Sequence, residues 1–277
     1  MTSPWIAYYA NRLWFRQLGE RLGLAAKSDE GYFSNFGFVP TSDEDRKHKW
    51  SDWNTGLNMY LKAFRSTNLE GKQVVEVSCG GGGGAAHCLR DFNAAGYVGF
   101  DITPQHVEYA NSLNQHKNAK FACGSAEELD LKTNSSDIVF SIEASHIYPD
   151  FGAFVKEAAR VLRPGGKLVL IDFRSYQDKA NVIETLEQFF TVQKNDDISL
   201  NVAAAALSYK PHFLKWILLS VALPLIKLVH PAYFLQILFQ KGSLWRHFML
   251  QEPLSYEMYK TLLTRKLTYF CIVVTKK

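Results

Sequence analysis

The run Val74-Val75-Glu76-Val77-Ser78-Cys79 passes directly into five consecutive glycines, Gly80 to Gly84, and then into Ala85-Ala86-His87-Cys88-Leu89-Arg90. The first segment is β-branched and apolar and reads as a strand, the last reads as a helix, and the glycines must make the turn that joins them. Such a turn presents backbone N–H groups at a helix N-terminus with no side chains in the way, an arrangement suited to closing around a polar ligand. Five glycines in a row satisfy a G-x-G-x-x-G spacing almost automatically, so the turn alone does not say which ligand.

The hundred residues around it set the fold class. Strands are predicted over 73–79, 97–102, 120–123, 137–142 and 167–173, with helices over 84–93, 104–115 and 150–162 between them. Short apolar runs alternating with helical stretches argue for βαβ units on a mostly parallel sheet. Thr103 stands where an N-cap belongs, with Pro104 in the first turn, and Arg163-Pro164-Gly165-Gly166 ends the 150–162 helix. A last strand, 267–275, is rich in β-branched and aromatic residues.

Around this core we expect an aromatic-rich helical cap over 1–70, with apolar faces at Leu13/Phe15/Leu18/Leu22 and Leu57/Tyr60/Leu61/Phe64. A helical hydrophobic insertion is expected over 175–255, and 256–277 completes the sheet whose core spans 71–174. The α/β class with these additions fits a chain of 277 residues that is 47% hydrophobic.

Charge and cysteine usage exclude several classes. A net charge of +4 is spread over 31 basic and 27 acidic residues with no long basic run, which argues against nucleic acid. Cys79, Cys88, Cys123 and Cys271 have no C-x-x-C spacing, so neither a metal site nor a disulfide framework is expected. The N-terminal stretch lacks the pattern of a secretory leader, and the expected location is cytoplasmic with membrane association left open.

Three further features converge on the glycine turn. Glu76 is a carboxylate inside an apolar strand and needs a cation or hydrogen-bond donors, although a structural ion pair would also serve. Asp101 ends the second strand about twenty residues on, where a carboxylate can accept both hydroxyls of a ribose or simply cap the next helix. Ser125-Ala126-Glu127 and Glu143-Ala144-Ser145-His146-Ile147-Tyr148-Pro149 follow the third and fourth strands. Ligands bind at that edge of an open α/β sheet, so four loops should meet in one crevice.

On V-V-E-V-S-C-G-G-G-G-G at 74–84, Asp101, C-G-S-A-E at 123–127, E-A-S-H-I-Y-P at 143–149 and V-L-R-P-G-G at 161–166, the chain resembles the class I S-adenosylmethionine-dependent methyltransferases. Within that class it is similar to small-molecule and lipid O-methyltransferases of the phthiotriol/phenolphthiotriol dimycocerosates type. The resemblance implies a Rossmann-like sheet with an antiparallel C-terminal strand and S-adenosyl-L-methionine as cofactor. It implies that Glu76, Ser78, Gly80 and Gly82 face the methionine part, that Asp101 and Ile102 hold the nucleoside, and that Ser125 and Ala126 border the adenine, with Glu143 nearby. Many members carry Asp where this chain has Ser125, so either the hydroxyl or Glu127 must meet the adenine amine.

Methyl transfer from a sulfonium is an in-line displacement that depends mainly on positioning and on excluding water. A hydroxyl acceptor gains from losing its proton, and imidazole is the group suited to take it near neutrality, which makes His146 the candidate base. A loop-capping role competes with that reading. Tyr32, Phe36 and Tyr148 are candidates to touch substrate.

The stretch 212–239 is strongly apolar but is divided by Lys215, Pro224, Lys227, His230 and Pro231, so a single membrane-spanning helix is disfavoured. Pocket lining, membrane-surface contact and a dimer interface all remain open for it. The expected acceptor is a small lipophilic molecule: a polyketide, phenolic, sterol-like or lipid hydroxyl compound. Rival readings are a nicotinamide-dependent oxidoreductase, a cyclase or isomerase that keeps the cofactor pocket, and a non-catalytic lipid-docking protein.

Overall fold

The computed structural model describes residues 33, 35–52, 54–114, 116–208, 258 and 261–277. Tyr32 and the 212–239 stretch lie outside the described residues, as do most of the cap helices expected before Phe33.

Helix α1 (Asp43–Arg46) and helix α2 (Thr55–Arg65) precede the sheet. The expected apolar face of α2 is there: Leu57, Tyr60, Leu61 and Phe64 are buried, and the Asn54 side chain caps the helix by accepting the Leu57 N–H at 2.9 Å. Strand β1 (Gln73–Val77), helix α3 (Gly83–Arg90), strand β2 (Gly96–Asp101), helix α4 (Pro104–Leu113) and strand β3 (Ala119–Cys123) follow. Next come strand β4 (Ser136–Ile142), helix α5 (Phe151–Val161), strand β5 (Leu162–Arg174) and helix α6 (Tyr176–Glu187). Strand β6 (Phe190–Asp197), helix α7 (Ser199–Ser208) and strand β7 (Thr268–Lys276) complete the described elements.

The seven strands form one sheet in the order β3-β2-β1-β4-β5-β7-β6. β1 pairs parallel with both β2 and β4, β2 with β3, and β4 with β5, while β7 runs antiparallel between β5 and β6. The chain order reverses between β1 and β4, so the carboxyl ends of those strands open the crevice where such sheets bind ligands.

The apolar continuity of the central strands has its reason in helices on both faces. Alternate residues go to opposite cores: Val74 packs with Phe64 and Phe140 under α2–α4, and Val75 and Val77 pack with Phe154 and Leu170 under α5 and α6.

The expected helical insertion over 175–255 is corrected in its first part, and residues 209–255 lie outside the described residues. α6 and β6 continue the sheet, and β6 is an edge strand whose sequence FTVQKNDD leaves most of its residues wholly or partly exposed. An edge strand with one solvated side carries too little apolar signal to be read as a strand, and its charged residues discourage pairing with another chain. Thr103 occupies the N-cap position of α4 but makes no side-chain cap bond; Asp101 Oδ1 accepts the Thr103 N–H at 2.9 Å instead.

Candidate active site

The β1–α3 turn is held by left-handed backbone at Ser78 (φ 61°), Gly80 (φ 53°) and Gly82 (φ 71°). Ser78 pays the steric cost that glycine avoids, of order 1 kcal/mol, which marks the turn as constrained. A Cβ on Gly80 would meet nothing within 4 Å, because this glycine faces the open crevice. Gly82 has a different reason to be glycine: a Cβ there would come within 2.7 Å of the Phe121 ring and 2.9 Å of Ala110. It packs the turn against α4 and β3 and does not line the crevice.

Asp101 ends β2 with its carboxylate buried at the crevice wall. Its Oδ2 accepts the Gly80 N–H at 2.9 Å, and Oδ1 lies 3.1 Å from His106 Nδ1. This fixes the strand end to the glycine turn. Beside it the Ile102 side chain is 51% exposed, an apolar surface standing in the crevice without a protein partner over half its area. Opposite, the Ser125 hydroxyl donates to the Glu127 carboxylate, so the neutral and acidic candidates for an amine partner form one hydrogen-bonded pair. Ala126 lines the same wall.

At the end of β4, Glu143 also adopts left-handed backbone (φ 51°). Both its carboxylate oxygens accept the Phe36 N–H, at 2.9 and 3.0 Å, tying the segment before α1 to the crevice. Burial, with the Asp172 charge nearby, pushes the Glu143 carboxyl up to about 8, against the pull of the Tyr269 hydroxyl and the Phe36 N–H. The Tyr269 hydroxyl has no hydrogen-bond partner among the described residues, and burial together with the Glu143 charge drives it far above the usual range. Tyr148 holds two hydroxyl partners, Ser141 Oγ at 3.0 Å and Ser78 Oγ at 3.1 Å, and so bridges the ends of β1 and β4 inside the crevice.

His146 sits in a short 3₁₀ turn after β4, between Ala144 and Ile147, both of which line the crevice. Its Nδ1 lies 2.8 Å from Asp172 Oδ1, and its backbone N–H donates to Asp172 Oδ2 at 2.9 Å. Ser145 donates to the same carboxylate at 2.6 Å, and Arg174 lies 3.2 Å from it. Burial alone would raise Asp172, but His146, Arg174 and Ser145 outweigh it and hold the carboxyl down at about 2. The imidazole packs tilted against Phe173 with ring centres 4.4 Å apart, and Phe36 meets that ring edge-on at 6.3 Å.

Residues 75–170 match the family model described as a methyltransferase domain. This stretch, running from β1 into β5, is similar to methyltransferase domains. The chain is 36% identical over 173 residues to the phthiotriol/phenolphthiotriol dimycocerosates methyltransferase of Mycobacterium leprae, covering 59% of this chain and 60% of that protein. It is 33% identical over 180 residues to the fatty-acid O-methyltransferase of Mycolicibacterium smegmatis, covering 62% of each. The chain thus matches about three fifths of the length of these curated relatives. Among solved structures, geranyl diphosphate C-methyltransferase of Streptomyces coelicolor shares the fold with a TM-score of 0.66 and 12% identity, over 95% of this chain and 98% of that one. The cyclase SpnF does so with a TM-score of 0.63 and 18% identity, over 94% and 90%. At those identities the likeness is one of fold, and the fold hosts both reaction types.

Within the matched stretch the structure gathers Ser78, Gly80, Asp101, Ile102, Ser125, Ala126, Glu143 and Tyr148 around one crevice. Glu76 is not on its wall. It is 1% exposed and takes the hydroxyls of Tyr60, at 2.7 Å, and Tyr97, so its demand for donors is met inside the protein. Burial pushes its carboxyl up to about 8, with the Tyr60 bond opposing and the Asp101 charge adding. Phe36 lies on the aromatic side of His146 rather than on the crevice wall. Sequence reasoning missed Asp172, Arg174 and His106. Asp172 gives the same signal as Glu76, a carboxylate inside an apolar strand, L-V-L-I-D-F; Arg174 and His106 gave none.

Proposed function

We propose that the chain is an S-adenosylmethionine-dependent methyltransferase that methylates a hydroxyl oxygen of a small lipophilic acceptor, with His146 as general base and Asp172 as its positioning partner. The observation that carries this reading is the 2.8 Å contact of His146 Nδ1 with buried, anionic Asp172; neither residue lines the crevice, but His146 stands in chain between crevice-lining Ala144 and Ile147. A carboxylate in that position fixes the imidazole tautomer with Nε2 left to accept a proton, and it stabilises the imidazolium once formed.

The crevice fits the cofactor. Asp101 offers a buried carboxylate for ribose hydroxyls, Ile102 an apolar face for adenine, the Ser125–Glu127 pair an acceptor for its amine, and Gly80 unobstructed backbone for the amino-acid part. When bound, the cofactor supplies an electrophilic methyl group. The chain's own residues then orient the acceptor, exclude water and receive the hydroxyl proton on His146.

The two curated relatives differ in acceptor: one is named for phthiotriol compounds, the other for fatty acids. The dyad supports a hydroxyl. A carboxylic acid is ionised at neutral pH and needs no base, and a second anion beside Asp172 would be repelled. The aromatic surface formed by Phe36 and Phe173 next to His146 suits a lipophilic body. Among the described residues no helix is long and apolar enough to cross a membrane.

The test is methyl transfer from labelled S-adenosylmethionine to chain-matched pairs of secondary alcohols and fatty acids. Labelled ether with S-adenosylhomocysteine in equal amount is expected from the alcohols. Labelled ester from the acids alone would overturn the hydroxyl assignment, and product without S-adenosylhomocysteine would overturn methyl transfer in favour of a cyclase-type reaction.

A further inference from the structure

Helix α2 separates two cavities. Tyr60 turns toward the crevice, whereas Leu57, Leu61 and Arg65, spaced four residues apart on another face of the helix, line a pocket of about 700 Å³ outside α2 and α3. The two cavities share no lining residue. In the outer pocket the walls are apolar at Trp50, Leu57, Leu61 and Phe92, and the charged groups are Lys49, Arg65, Arg90, Asp52 and Asp91, with His87 beside them.

These charges do not cancel evenly. Asp91 is taken by its neighbours: Arg90 Nε lies 2.6 Å from it and His87 Nδ1 2.8 Å. Asp52 and Lys49 are exposed on the rim. Arg65 is different. Its guanidinium stacks on the Trp50 ring at 4.5 Å, and Nη2 donates to the Lys49 carbonyl. Among the described residues its buried Nη1 has no hydrogen-bond partner, and burial lowers its pKa from the usual value. A buried guanidinium nitrogen left unsatisfied is costly and calls for a partner that the described residues do not provide.

We propose that this pocket is a second binding site, which takes the oxyanion head of an amphiphile, phosphate or carboxylate, on Arg65 and Lys49 and lays its alkyl chain along Leu57, Leu61 and Phe92. Planar guanidinium is the group that pairs bidentately with such a head, and the Trp50 ring holds it in place from one side. Its chemistry differs from that of the crevice, whose acidic lining residues are Asp101, Glu127 and Glu143. The site therefore selects for an acidic lipid rather than for the methyl acceptor.

The probe is dodecyl phosphate below its micellar concentration, titrated calorimetrically into the full chain, with inorganic phosphate and dodecanol as head-only and chain-only arms. Dodecyl phosphate is expected to bind at least tenfold more tightly than either. Arg65→Gln should weaken it about tenfold, the loss of one charged hydrogen bond. Lys49→Gln, at an exposed position that cannot unfold the chain, should weaken it about threefold with an unchanged melting temperature. Saturating S-adenosylhomocysteine should leave the affinity unchanged. Wild-type affinity in both variants, displacement by S-adenosylhomocysteine, or equal binding of dodecanol would each overturn the proposal; binding of inorganic phosphate as tight as the amphiphile would overturn its lipid part.

Discussion

Two carboxylates lie inside apolar strands of the same sheet, Glu76 on β1 and Asp172 on β5, and their neighbours drive them to opposite charge states. Both are almost wholly buried. Among the described residues Glu76 is met only by the neutral hydroxyls of Tyr60 and Tyr97, and its carboxyl rises to about 8. Asp172 is met by a histidine, an arginine and a serine, and stays near 2. Burial disfavours charge equally in both places; what differs is whether a cation offsets it. The β1 half of the sheet thus uses a protonated acid as a packing and hydrogen-bonding group. The β5 half keeps a permanent anion beside the candidate base.

Removing that anion should have the largest consequence. Asp172→Asn is expected to lower turnover by about 10²- to 10⁴-fold, the range of a general-base contribution. Cofactor affinity should stay within about threefold of wild type. A loss confined to cofactor affinity would break the division of labour between the halves.

On the other half, Asp101→Ala should weaken cofactor binding about 10- to 100-fold, equivalent to one or two charged hydrogen bonds, as measured by calorimetry. Turnover at saturating cofactor should be little changed. A drop in turnover without a drop in affinity would move Asp101 into the reacting centre.

Tyr97→Phe leaves Glu76 with one donor and should cost about 1–2 kcal/mol of stability in chemical denaturation while sparing activity.

The charge states also predict opposite pH dependences. A carboxyl raised from 4.5 to about 8 on folding gives stability that is present below about 4.5 and is lost as pH rises through 8. One lowered from 3.8 to about 2 gives stability that is present above about 4 and is lost as pH falls through 2. Wild type should therefore lose stability between pH 5 and 8, and Glu76→Gln should lose less, because an amide stays neutral. Equal slopes for the two proteins would show that Glu76 is ionised throughout. The smallest effect is expected at the adenine wall, where Ser125→Ala should weaken cofactor binding by about threefold with Glu127 still in place.

The strand–glycine–helix unit, the βαβ order from β1 to β5 and the existence of the closing strand were legible because each rests on local pattern: apolar runs of strand length, turn glycines and helix caps; the antiparallel direction of that last strand came only from the family resemblance. Most of the crevice was legible for a related reason. In a parallel sheet the loops after successive strands come to the same edge, so Ser78, Asp101, Ser125 and Glu143 had to meet. Edge strand β6 was hidden by its polar sequence, which follows from its place at the sheet margin.

The sequence alone determined that Glu76, as an acid inside an apolar strand, would need partners; Asp172 carries the same signal in L-V-L-I-D-F, which the sequence reading passed over. The sequence could not say which partners. Tyr60, Tyr97 and Arg174 reach these acids from distances of 16, 21 and 2 residues along the chain, and His146 from 26. Only tertiary packing decided that one acid meets hydroxyls and the other meets cations. The physical reason is that a buried acid's charge state is set by the groups within a few ångströms of it, and for long-range partners that neighbourhood does not exist until the sheet and its helices have closed.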